Sequence, residues 1–106
     1  MDSKPIFCGG SHGDIGNPKE CFEYSTQGFK SFANLTYEAY YSASTIVQID
    51  QQAVLWISGG FVMGNKSQLV LSNGTISEGP VMPEKLTEHC VVAIDKTTVL
   101  VIGGYN

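Results

Sequence analysis

The sequence predicts an all-β chain built from repeated units, and three observations carry that expectation. Apolar runs closed by a glycine pair occur three times, as PIFCGG (residues 5–10), AVLWISGG (53–60) and TTVLVIGG (97–104). The doublets Gly9-Gly10, Gly59-Gly60 and Gly103-Gly104 are 50 and 44 residues apart, a spacing that marks a repeat architecture. No apolar period of the helical kind is sustained anywhere in the chain.

Taken in order, residues 6–10 read as a buried strand ended by the first doublet. Residues 11–19, with Gly13, Gly16 and Pro18, read as a loop. Residues 21–25 and 29–35 form two further strands joined at Thr26-Gln27-Gly28. A connector runs to residue 41, its Tyr37, Tyr40 and Tyr41 favouring extended over helical backbone. Residues 42–49 and 53–58 are strands joined by Asp50-Gln51-Gln52. The second copy then repeats this grammar: loop 61–66, strand 67–71, and the hairpin signal Asn73-Gly74. Its outer strand, 75–81, contains Gly79-Pro80, which suits a sheet edge. After a connector through residue 88 come strands 90–94 and 98–102. With strands lettered a to d and each doublet closing b, the order is b, c, d; a, b, c, d; a, b. Continuous apolar a and b strands fit sheets covered on both faces, and more polar c and d strands fit a rim.

Composition narrows the function. The 106 residues make at most one domain, and a hydrophobic content of 42% is that of a globular chain. A net charge of −4 gives no electrostatic footprint for nucleic acid or an acidic membrane. Apolar runs are strand-sized, so no transmembrane helix is expected. The opening MDSKPIF has no basic region followed by an apolar core, and no signal peptide is visible in it.

These residues resemble the kelch-repeat family of β-propellers, in its divergent, extracellular form, over nearly the whole chain. Family repeats carry a b strand ending in Gly-Gly, a Tyr in strand c, an aromatic residue opening strand d, and a Pro-rich connector. The first copy has Gly9-Gly10, Tyr24 and Phe29; the second keeps Gly59-Gly60 with Leu71 and Ile76 near the other two places. EGPVMPEKLTEHCVVAID (residues 78–95) is similar to the Gly-Pro, Met-Pro and His-Cys segment of some extracellular kelch proteins. The resemblance implies kelch-type propeller blades, with pieces at 5–35, 42–81 and 89–104. It also implies that the six glycines shape the blades. No helix follows them, and neither GxGxxG nor GK[ST] is present, so they are not a phosphate cradle.

Cys8 and Cys21 fall nearly opposite one another if their strands are antiparallel neighbours, within reach of a disulfide. The alternative is a pair of buried thiols. Cys90 sits in an apolar strand and is expected to pack as a small hydrophobe. Three N-x-[S/T] sequons begin at Asn34, Asn65 and Asn73, each in an expected turn or connector. Sequons and the cysteine pair together point to an extracellular or secreted protein, with a cytoplasmic location as the alternative.

No metal site or cofactor is expected, because His12, Cys21, His89 and Cys90 lack zinc-ligand spacing. Galactose oxidase shares the kelch-type propeller, which makes a copper enzyme the catalytic alternative, with Tyr24, Tyr37, Tyr40, Tyr41 and Tyr105 as available tyrosines. An intracellular kelch adaptor for a ubiquitin ligase is a second alternative. The expectation is a non-catalytic module that binds a protein or glycan through its b–c and d–a loops, where recognition lives on a rigid scaffold. Those loops present His12, Asp14, Glu38, Tyr40, Phe61, Met63, Glu84, Lys85 and His89. Incomplete end sheets imply further blades, from a longer parent chain or from identical chains in a ring, for example a homotrimer.

Overall fold

In the computed structural model, residues 5–9 and 19–105 are described. Nine strands and one helical turn follow in order: β1 (Ile6–Cys8), β2 (Glu20–Ser25), β3 (Gly28–Asn34), β4 (Ala43–Ile49), β5 (Gln52–Ser58), α1 (Gly60–Met63), β6 (Ser67–Val70), β7 (Ile76–Glu78), β8 (Cys90–Ala93) and β9 (Val99–Ile102). They form three antiparallel meanders, β1-β2-β3, β4-β5-β6-β7 and β8-β9. The partition into three, four and two strands is the one that the glycine doublets and turn residues predict.

Local chemistry explains the turns. Asn73-Gly74 closes β6 to β7, with Gly74 at φ 87° and the Asn73 side chain accepting a bond from the Thr75 N–H at 3.0 Å. Between β4 and β5 a two-residue turn, Asp50-Gln51, runs at φ 50° and 65°, and Ile49 pairs with Gln52. That is the hairpin turn for which glycine is the preferred residue, here made without one. Gln51→Gly is therefore expected to raise stability by about 0.5 kcal/mol, since relief of left-handed strain outweighs glycine's entropy cost. The urea midpoint reads this directly.

Three expectations change. Residues 61–66 are not wholly loop, because α1 makes one helical turn there, closed by the Gly64 N–H on the Gly60 carbonyl. The outer strand β7 stops at Glu78, short of Gly79-Pro80: proline has no N–H to continue a ladder. Burial on both faces holds for β5, buried from Val54 to Ser58, but not for β1, β4, β8 or β9, which alternate.

The main core lies between the first two sheets, where Cys21, Ala33 and Leu35 meet Leu55, Ile57 and Val70. Cys8 pairs with Cys21 in the β1–β2 register and the two form a disulfide, with Cα atoms 4.1 Å apart. Cys90 is free and exposed rather than packed, because its face of β8–β9 has nothing over it among the described residues. Between the second and third sheets an open seam of about 380 Å³ is lined by Trp56, Leu69, Met82, Val99 and Val101 among others. No helix among the described residues is long and apolar enough to cross a membrane.

Successive sheets meet through the doublets. Gly9, Gly59 and Gly103 share φ 69°, while Gly60 and Gly104 lie at 97° and 99°. A Cβ on Gly9 would stand 2.6 Å from the Ala39 carbonyl oxygen, and one on Gly59 2.5 Å from that of Leu86. Ala39 and Leu86 are equivalent, each two residues before a positive-φ residue, Tyr41 or Glu88, both at 54°. The first glycine thus seats the connector of the next sheet. The second seats its own: a Cβ on Gly60 would strike the Tyr40 carbonyl, and one on Gly104 would lie 2.9 Å from that of Thr87. Only glycine tolerates both the φ and the approach.

Candidate functional site

The residue after each of the last two doublets is aromatic, and those two residues frame a concavity. The Phe61 N–H donates to the Tyr40 carbonyl at 3.2 Å, and the Tyr105 N–H to that of Thr87 at 2.9 Å. The same backbone device therefore holds Phe61 and Tyr105 at matching places on two sheets. Their side chains stand 69% and 70% exposed, an unusual cost in water for large rings. Between them lies a hollow of about 410 Å³, walled by Gly60, Gly64, Lys85, Leu86, Thr87 and Glu88. Tyr41 extends the aromatic surface, its ring 4.8 Å from that of Phe61 at 53°.

The floor is fixed by backbone bonds. Gly60 N–H donates to the Leu86 carbonyl at 2.8 Å, Leu86 N–H to Gly64 at 3.3 Å, and Thr87 N–H to Tyr105 at 2.8 Å. The stem of Lys85 passes over Gly64, and Glu88 stands in the same wall. A rigid hollow with exposed rings, one cation and one anion suits binding of a polar ligand with flat apolar faces. Among the described residues no group of three His, Cys, Asp or Glu side chains could hold a metal ion.

The structure sorts the residues named from sequence. Phe61 and Lys85 meet in the hollow. Glu84 is exposed nearby in the chain, while Glu38 and Tyr40 are half-buried on the preceding connector. Burial and then the Glu38 carboxylate, by charge and by hydrogen bond, raise the Tyr40 phenol above its ordinary pKa. Met63 is buried, not displayed, because α1 folds it inward to accept a bond from the Gln68 amide at 3.3 Å. His12, Asp14 and Gly10 lie outside the described residues. Asn73 sits in its turn, whereas Asn34 ends strand β3 rather than lying in a connector, and Asn65 is half-buried after α1. Tyr41, Tyr105 and Glu88 are not among the loop residues expected from sequence; for Tyr105 the available signal is an aromatic directly after a doublet.

His89 is a sheet-junction residue and not a loop-face one. Its ring is buried, with Nε2 3.0 Å from the Ser58 hydroxyl on β5, and it packs where a Cβ on Gly59 would stand. Nδ1 is buried without a hydrogen-bond partner. Burial pushes the His89 pKa below its ordinary value, the bond to Ser58 opposing that in part. A neutral imidazole is thus native, and the unfolded chain binds the proton more readily. Stability contributed here is full above about pH 6.5, the ordinary histidine value, and falls as pH drops below it. Urea midpoints at pH 7.5 and 5.5 are expected to differ in the wild type and to converge in His89→Leu.

Comparison of the chain with protein-family models, with curated proteins and with solved structures returns no match. The site therefore stands on its own geometry.

Proposed function

We propose that this chain is a non-catalytic binding module of kelch-type propeller blades that holds a protein or glycan partner on its loop face. The observation that carries the reading is the pair Phe61 and Tyr105, placed alike after equivalent doublets and left exposed around one hollow. The equal φ values of the doublets and the three-, four- and two-stranded meanders support the blade reading. The Cys8–Cys21 disulfide supports an oxidising, extracellular setting, in which Asn34 and Asn73, both exposed, are the sequons open to glycan.

Aromatic anchors of this kind carry much of the binding energy of a recognition face, commonly about 2 kcal/mol each. Phe61→Ser with Tyr105→Ser is therefore expected to weaken binding to an oligosaccharide array, or to a secreted-protein library displayed on yeast, by tenfold or more. Ligands bound equally by wild type and variant would move the site elsewhere. Stoichiometric copper uptake with alcohol oxidation would replace the binding reading with the enzyme one.

A further inference from the structure

The hollow between Phe61 and Tyr105 is small, balanced in charge and aromatic at its edges, and each property bears on what can fill it. Its volume of about 410 Å³ is at the lower end for small-ligand pockets, about 300–1,000 Å³. A standard protein partner covers about 800 Å² of each surface and packs an apolar centre. Among the described residues lining this hollow, Leu86 is the one aliphatic hydrophobe, and it is half-buried. Phe61 stands in mid-chain and is as exposed as Tyr105, so the exposure of both rings belongs to the position after a doublet.

Lys85 and Glu88 are the charged residues in the wall, one of each sign, so it favours neither an anion nor a cation. Their hydrogen-bonding roles are opposite, since an ammonium only donates and a carboxylate only accepts. The hydroxyls of Thr87 and Tyr105 in the same wall do both. Ligand hydroxyls, which give and take alike, suit that mixture. The face of an aromatic ring is electron-rich and takes polarised C–H groups. A pyranose with equatorial substituents has C–H groups on both faces and hydroxyls around its edge. The Tyr41–Phe61 pair continues the aromatic surface outside the hollow, which gives a chain of such rings a second platform. Tyr41 and Glu88 are both exposed and both held at φ 54°, backbone strain of a kind that gathers at ligand sites.

We infer that the hollow binds a neutral oligosaccharide of β-linked, equatorially substituted pyranoses, one sugar between Phe61 and Tyr105 and the next on Tyr41. This rests on the reading of the hollow as the binding face and adds the class of ligand. Phe61 and Tyr105 take the C–H faces of the sugar, Lys85 donates to its hydroxyls, and Glu88 accepts from them.

Cellohexaose is the probe, titrated into the isotope-labelled chain while backbone amide signals are followed by NMR. The amides of Phe61, Thr87 and Tyr105 are expected to shift to saturation, and those of β2 and β3 to stay in place. Phe61→Ser with Tyr105→Ser is expected to weaken binding about tenfold or more, and its remaining amide spectrum checks that it folds. Lys85→Gln and Glu88→Gln keep hydrogen-bonding groups in the wall, and each is expected to change affinity by less than about threefold, no ion pair with the ligand being lost. A hyaluronan hexasaccharide, similar in shape but acidic, is expected to bind no more tightly. Absence of any shift with cellohexaose would overturn the inference, as would tighter binding of the acidic sugar. If a secreted protein then binds through Phe61 and Tyr105, the hollow remains the binding face and only the ligand class falls. Cellohexaose binding unchanged in the Phe61, Tyr105 variant would overturn both readings.

Discussion

Gly59→Ala is expected to cost about 2–6 kcal/mol, a large part of the stability of an ordinary domain. Gly59 has φ 69° and ψ −157°, a region open in practice only to glycine, and strain there costs about 1–3 kcal/mol. The added methyl would also meet the Leu86 carbonyl and the His89 ring, each at 2.5 Å. Backbone on one side and a buried ring on the other leave little room to yield, which adds about 1–3 kcal/mol. Gly103 has the same φ but open space around it, so Gly103→Ala is expected to show the strain alone. Equal losses at the two positions would refute the idea that the doublets are seats for connectors.

Cys8→Ala with Cys21→Ala is expected to lower stability by about 3 kcal/mol, the chain-entropy value for a loop of this length. The bridged residues are 13 apart in sequence. For a domain of this size that corresponds to a fall in Tm of roughly 15 °C. Cys21 is fully buried in the main core, so loss of its sulfur also leaves a small void beside Ala33 and Leu35. Reductant should reproduce most of the loss in the wild type and none in the double variant.

The division into sheets was legible because its signals are local. A doublet ends a b strand, Asn73-Gly74 makes a hairpin, and strand alternation then puts Cys8 beside Cys21. What sequence concealed depends on contacts between sheets. Met63 and His89 lie in segments that read as polar loops, yet one turns under Gln68 and the other wedges between Ser58 and Gly59. Cys90 shows the converse: an apolar neighbourhood predicts burial, but its face of β8 is open. Half of the candidate site was found through Phe61 and Lys85. Tyr105 escaped because its role follows from equivalence to Phe61, visible only once the Tyr40 and Thr87 carbonyls are seen holding the two alike.

The third sheet has a consequence in the language of binding equilibria. A two-stranded hairpin is barely stable in water by itself, so β8–β9 holds its shape largely by resting on the sheet beside it. It is in effect a ligand tethered to its receptor, with the connector that follows β7 setting its effective concentration. Ser58 and Gly59 are its receptor groups, and His89 is the plug it inserts. Amide exchange should then find a separate release step for β8 and β9, faster than opening of β5. That step quickens as acid weakens the hold of the plug, while the first two sheets stay closed.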